Sequence, residues 1–252
     1  MDNLDNQVIT DYVNKNIVFF HEKRIERLKK LNINILLKKN PYLFKAKNVE
    51  SAGELLNGFL DAFLSSSEEK MFGDFLEGLA IYIASKTRNG HKSASMGIDL
   101  EIIEDSSHYL ISIKSGTNWG NNAQHNKLAQ DFDLAGRIIH QHNPQIRVFT
   151  ILGICYGKTQ TSLHTKGYWK LVGQNFWTFV SGNISLYKEI IEPIGFRAKQ
   201  HNEQFMKEKG KILNKMTGEF ISAYCKNDGG IDWNKLVEFN SGNYDLEKIR
   251  FI

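Results

Sequence analysis

Apolar positions recur at helical spacing over most of the chain and alternate strictly at one place near its middle. The first stripe runs from about Val8 to Leu37 through Ile17, Phe20, Leu28 and Leu31, with Lys23, Arg24, Arg27, Lys29 and Lys30 around it. Asn40-Pro41 ends this helix, because proline lacks an amide hydrogen and pushes the residue before it towards extended backbone. A second helix is predicted from about Ala52 to Leu64, with Leu55, Leu56, Phe59, Leu60 and Phe63 on one face. Ser65-Ser66-Ser67 then reads as the cap of a third, whose stripe is Phe72, Phe75, Leu76, Leu79, Ala80 and Ile83. Glu77 borders that stripe, where a helix can present a carboxylate to the end of a sheet.

The alternation falls in Ile98-Asp99-Leu100-Glu101-Ile102 and in Leu110-Ile111-Ser112-Ile113-Lys114. Successive side chains of a strand point to opposite faces. Asp99 and Glu101 are therefore expected on one face, with Ile98, Leu100 and Ile102 on the other. Ile111 and Ile113 point one way in the second strand, Ser112 and Lys114 the other. Glu104-Asp105-Ser106-Ser107 is polar and turn-prone, so a hairpin is the predicted connection.

Beyond the hairpin, a helix from about Ala123 to His140 is expected to pack through Leu128, Phe132, Ala135, Ile138 and Ile139. Val148 to Tyr156 reads as a buried central strand and Tyr168 to Val172 as a further one. Phe176-Trp177-Thr178-Phe179-Val180 leads into a helix whose aromatics belong to the core. A charged helix from about Arg197 to Tyr224 keeps Phe205, Ile212, Met216 and Phe220 on one side and ends at Asp228-Gly229-Gly230. These elements predict an α/β fold, a mixed central sheet flanked by helices with additional N- and C-terminal helices. One domain is expected over 1–252, with a helical part at 1–65, a core at 66–196 and a second helical part at 197–252.

Composition narrows the picture only slightly. A chain of 252 residues, 41% hydrophobic, is long enough for a full core. The net charge of +4 suits a nucleic-acid binder without demanding one. Cys155 and Cys225 are far apart in no metal-like spacing and are expected as reduced thiols. Met1 to Asp5 carries no signal-peptide character, and no apolar run approaches the ~20 residues that span a bilayer. A cytoplasmic protein is the expectation, with no membrane partner. Gly157-Lys158-Thr159 lacks the glycine-rich loop that cradles phosphates, so no nucleotide cofactor is expected.

Pairing the polar faces of the hairpin brings Asp99, Glu101 and Lys114 to one spot. Carboxylates are the hard oxygen ligands that Mg²⁺ prefers, and the ion lowers the pKa of a bound water. A lysine beside it can orient or deprotonate that water or hold a phosphate. This is the layout of a metal-dependent phosphodiester hydrolase. Lys86-Thr87-Arg88-Asn89-Gly90-His91-Lys92 is read as a polar connection in which Lys86, Arg88 and Lys92 suit phosphate contact. After Lys114 comes a stretch rich in amides: Asn118, Asn121, Asn122 and Gln124. Such amides read base edges, adenine especially, and equally serve as turn and N-cap residues.

Asn40-Pro41-Tyr42-Leu43-Phe44, Met71-Phe72-Gly73-Asp74-Phe75-Leu76-Glu77, Ile98-Asp99, Ser112-Ile113-Lys114-Ser115-Gly116, Tyr156-Gly157 and Gln174-Asn175-Phe176-Trp177 stand in order. Together they resemble the type II restriction endonucleases of the PmeII and Eco-O kind, within the PD-(D/E)xK nuclease superfamily, from about Pro41 to about Phe205. The resemblance implies a restriction-endonuclease-like core, Mg²⁺-dependent sequence-specific cleavage of double-stranded DNA leaving 5′-phosphates, and a homodimer. It makes Asp99 the metal-binding aspartate and Lys114 the catalytic lysine. Ser112 stands where the superfamily's second acid belongs. Glu77 and Glu101 are the candidates to replace that acid as metal ligand, Glu77 being preferred. A structure-selective repair or recombination nuclease, or a DNA-binding protein with a decayed site, are the rival readings.

Overall fold

In a computed structural model the described residues are 6–246, so the expectation drawn from Met1 to Asp5 lies outside them. The helices and strands follow the chain as α1 (Asn6–Lys29), α2 (Ile33–Leu36), α3 (Pro41–Ala46), α4 (Ala52–Thr87), β1 (His91–Lys92), β2 (Leu100–Glu104), β3 (Ser107–Lys114) and α5 (Asn122–His142). They continue as β4 (Arg147–Ile154), β5 (Ser162–Leu163), β6 (Trp169–Val172), α6 (Gln174–Ser181), α7 (Leu186–Glu189), α8 (Ile191–Ile194), α9 (Ala198–Tyr224) and α10 (Trp233–Ser241). The strands form a six-stranded mixed sheet in the order β1-β2-β3-β4-β6-β5. The β1, β2 and β3 strands are antiparallel, β3, β4 and β6 run parallel, and β5 returns antiparallel. The α/β class with a helix-flanked mixed sheet is thus the observed one.

The chain forms two compact units. One takes the residues up to Phe20 together with Lys70–Ala198, the other His21–Glu69 together with the chain from Lys199 on. The first contains the sheet, buried on both faces. Leu100, Ile102, Ile111, Ile113 and Ile151 pack with Ile9, Val13 and Ile17 of α1, with Leu76, Leu79 and Ile83 of α4, and with Phe176 and Trp177 of α6. Leu110, Leu152 and Ile154 pack on the opposite face with Leu128, Phe132 and Ala135 of α5. Burial of large apolar side chains on both faces, about 1.5–3 kcal/mol each, fixes the sheet that carries the site. The second unit is all helical, closed around Leu28, Leu36, Leu55, Phe59, Leu60, Phe205 and Phe220.

Several predicted boundaries differ. The first helix stops at Lys29, not Leu37, because Asn32 starts a new one by accepting from the Ile35 amide. The two helices expected over Ala52–Ala84 are one, since Ser65 to Ser67 lie inside α4 and Ser66 Oγ donates to the Ala62 carbonyl in place of capping. The connection expected at 86–92 is shorter: α4 continues to Thr87, and His91–Lys92 is strand β1. Ile138 is exposed, not packed on the sheet, and Ile98 joins the α5 side, away from Leu100 and Ile102, because Asp99 precedes the regular part of β2. No helix among the described residues is long and apolar enough to cross a membrane.

Candidate active site

Asp99 is the residue just before β2, and its backbone amide donates to the Ile111 carbonyl of β3. The side chain therefore reaches across the end of β3. Its Oδ2 accepts from the Ile113 amide at 2.5 Å and from Ser112 Oγ at 3.2 Å, and Lys114 Nζ lies 3.4 Å away. Lys114 Nζ also donates to the Ile113 carbonyl at 2.8 Å. A carboxylate fixed by a backbone amide, a hydroxyl and an ammonium has one orientation, and all three of these contacts fall on Oδ2. The alternation that buries Ile111 and Ile113 creates this grouping, since it sends Ser112 and Lys114 to the other side. Ser112 is only 1% exposed, so it acts as a donor to Asp99 from within the core.

Glu77 comes from α4, where its neighbours Leu76 and Ala80 face the core. Its carboxyl is held above the ordinary carboxylate range, chiefly by burial and next by the Asp99 charge, with Asp74 adding to the effect and Lys92 and Lys114 opposing it. The Asp99 carboxylate is thus within electrostatic reach of Glu77 and raises the cost of ionising it. Glu101 has a different environment. His108 Nε2 donates to it at 2.7 Å and Ser93 Oγ makes a short hydrogen bond to it, so its oxygens already have partners.

Among the described residues no three or more His, Cys, Asp or Glu side chains converge as a ready-made metal cage. A magnesium ion does not need one: it keeps several waters and takes one or two carboxylates together with substrate phosphate. Two hard carboxylates fit such an ion: Glu77 has no hydrogen-bond partner among the described residues, and a bound cation would offset the charge of Asp99 that bears on it. Glu77 opens on a cleft of about 670 Å³ shared with Tyr12, Asp74, Tyr82, His91 and Lys92. Lys114 and Ser112 line a second cavity of about 420 Å³ with Gly97, Trp119, Gln124 and Asp131.

The residues predicted to touch DNA separate into groups. Arg88 is a correction. It is buried, pairs through Nε with Glu104 at 2.7 Å and makes a second, shorter contact through Nη2. Its Nη1 donates to the Phe179 carbonyl at 2.9 Å and the guanidinium lies over the Phe179 ring. With three of its five N–H groups spent on these partners and the side chain buried, it is not presented to a phosphate. Lys86 is exposed, with its ammonium 5.5 Å from the Tyr82 ring centre, and Lys92 is exposed on β1. Asn121 is the N-cap of α5: its side chain accepts from the Gln124 amide, and the Gln124 side chain accepts from the Asn121 amide. Asn118 and Asn122 are exposed.

Sequence reasoning passed over Tyr12, Tyr82 and His91, which line the cleft beside Glu77. Tyr12 arrives from α1, and nothing local in its sequence points to Glu77. It also passed over Trp119 as a neighbour of Lys114, although an aromatic five residues after the lysine in an amide-rich loop was a visible signal. Both cysteines are free thiols, and burial pushes the Cys155 thiol well up.

The sequence profile of the family described as type II restriction endonuclease EcoO109I matches residues 7–202. That span takes in Glu77, Asp99, Ser112 and Lys114. Among curated proteins no relative matches.

Proposed function

Because the chain belongs to the type II restriction endonuclease EcoO109I family, and is thereby a nuclease acting on DNA, we propose that it cuts double-stranded DNA at a specific sequence with Mg²⁺ and leaves 5′-phosphates. The observation that carries this reading is the Asp99 carboxylate, held by the Ile113 amide and the Ser112 hydroxyl, with the Lys114 amine 3.4 Å away.

Asp99 and Glu77 are the residues that would hold the ion. When bound it supplies positive charge against the negative charge developing on the phosphate, and it acidifies a water. Ser112 does not replace the missing second acid. It supplies a donor that keeps Asp99 aimed, and Glu77 supplies the second carboxylate. Lys114 sits where an amine can orient the attacking water and receive its proton or stabilise the phosphate. The fixed Ile113 carbonyl at 2.8 Å restrains that amine, so it meets the substrate in one geometry. Exposed Lys86 and Lys92 suit the DNA backbone, and exposed Asn118 and Asn122 suit base edges. A two-fold homodimer matches a palindromic site with one cut per strand, and sedimentation of the DNA-free protein as a dimer is the expected result.

Digestion of a plasmid of known sequence with Mg²⁺ tests the reading. Discrete fragments with 5′-phosphate ends are expected from wild type, and none from Asp99→Ala or Lys114→Ala. Smears or cuts confined to branched DNA would favour a structure-selective nuclease. Equal behaviour of all three proteins would remove the assignment.

A further inference from the structure

The loop between Lys114 and α5 is tied down more firmly than a simple connection needs. Gly116 lies against the Tyr156 side chain, where a Cβ would come within 2.9 Å of Cζ and Oη, and Gly157 leaves room for the Thr117 methyl. Gly120 has a φ of +101°, and a Cβ there would lie 2.4 Å from His125 Nε2. Only glycine combines that backbone with that approach. His125 in turn stands in an aromatic column. Its Nδ1 shares a hydrogen bond with Tyr168 Oη at 2.6 Å, and its ring stacks on His164 at 4.7 Å. Tyr168 is 1% exposed in the core under α5. Trp119 meets the His125 ring edge-to-face, at 5.1 Å and 81°. The outer end of this series is the Trp119 ring, whose centre lies 5.6 Å from Lys114 Nζ.

We propose that Trp119 is a positioning residue for the Lys114 amine, held in place by His125 and through it by buried Tyr168. The proposal rests on the nuclease reading above. Its physical reason lies in what else surrounds the amine. Asp99 is the only carboxylate paired with Lys114 among the described residues, and a metal ion draws on the same carboxylate. The amine then keeps the Ile113 carbonyl as a hydrogen-bond partner on one side, and a further contact has to fix its direction. A further carboxylate would repel the scissile phosphate, whereas an aromatic face attracts an ammonium through its quadrupole and carries no net charge. A ring anchored through a core tyrosine holds its position when substrate enters, which is what preorganisation requires.

The test compares wild type with Trp119→Leu, Trp119→Phe, Lys114→Met and the double variant Trp119→Leu/Lys114→Met. Single-turnover cleavage is measured at saturating DNA with Mg²⁺, and DNA affinity is measured separately with Ca²⁺. Trp119→Leu is expected to slow cleavage about tenfold with affinity within about threefold, the loss expected of a desolvated cation–π contact. Trp119→Phe, which keeps a ring face, is expected to recover most of the rate. In the Lys114→Met background, which does not cut, Trp119→Leu should leave DNA affinity unchanged. The Lys114 ε-methylene resonances, assigned by their absence in Lys114→Met, should be shifted upfield by the ring and move to ordinary values in Trp119→Leu.

An affinity loss equal to the rate loss would make Trp119 a DNA-stacking residue and overturn the proposal. So would a Phe variant no better than Leu, or ordinary ε-methylene shifts in wild type. In each of those cases wild type still cuts and Lys114→Met does not, so the nuclease reading stands. A wild type that never cuts, or a fully active Lys114→Met, fails that reading and takes the role of Trp119 with it.

Discussion

His108 holds Glu101: its Nε2 lies 2.7 Å from the Glu101 carboxylate, and both side chains are largely buried. The pair distinguishes Glu101 from Glu77, the two acids proposed as alternatives for holding an ion with Asp99. Glu77→Gln is expected to lower the single-turnover rate by about two orders of magnitude, consistent with losing several kcal/mol of metal-mediated charge stabilisation. Glu101→Gln, with His108 still able to donate to the amide oxygen, should cost less than about tenfold. A larger loss at Glu101 in the same plasmid assay would reverse the assignment.

The hairpin that carries Asp99 and Lys114 was legible because a strand's side-chain period is short and the turn signal was local. Its register carried more than was read from it. Asp105 and Ser106 form the turn, Glu101 pairs with Leu110, and His108 is then the diagonal neighbour of Glu101 on the same face. The fate of Glu101 was therefore available in the sequence. Arg88 was not legible in that way. Its partners Glu104 and Phe179 lie on β2 and α6, and only the tertiary fold brings them to the end of α4. The serines inside α4 carried a true capping signal that packing overrode: both ends of that helix bury apolar side chains, and the continuous stripe outweighed a local alternative.

Arg88 is predicted to matter for stability and not for DNA. Arg88→Met leaves the Glu104 carboxylate without its partner and the Phe179 carbonyl without its donor. The expected cost is about 2–4 kcal/mol in denaturant unfolding. DNA affinity measured at a temperature where the variant is folded should stay at the wild-type value. A loss of affinity with unchanged stability would restore the phosphate-contact reading.

Lys92 and Asn118 should divide affinity from selectivity. Lys92→Ala removes an exposed charge on β1, so binding should weaken on all sequences and the slope of log affinity against log salt should fall by about one. Asn118→Ala leaves the charge intact. It is expected to relax the preference at one base position, at about 1–3 kcal/mol, with the salt slope unchanged. Competition binding with a panel of single-base variants distinguishes the two outcomes.

The helical unit carries an acid-sensitive histidine, His21. His21 and His201 stack with ring centres 4.3 Å apart, and Arg24 Nη1 lies 3.4 Å from His21 Nδ1. Burial first, then His201 and Arg24, lower the His21 pKa from 6.5 to about 4. The unfolded chain therefore takes up the proton at a higher pH than the native one. The contribution of a neutral His21 is complete above about pH 6.5 and is lost as pH falls towards about 4. Wild type should lose about 2–3 kcal/mol across that window that His21→Leu does not lose. Parallel pH curves for the two proteins would show that His21 is not responsible.

Glu77 makes the opposite prediction, and it needs no cleavage to be read. Its native pKa is raised, by burial and then by Asp99, so the native state binds its proton more tightly than the unfolded chain does. Such a group supports the fold at low pH, and that support is lost as pH rises through the native value. The Glu77 charge is thus a liability to the metal-free protein, one that a bound ion would offset. Glu77→Gln removes the charge at nearly constant shape. The metal-free variant should melt above wild type at neutral pH, with the difference closing in acid. Added Mg²⁺ should raise the wild-type midpoint more than that of the variant, since a ligand stabilises only the state that binds it. A variant that melts lower at neutral pH, or that gains as much from Mg²⁺, would mean that Glu77 is a structural acid and that the ion, if held, is held without it.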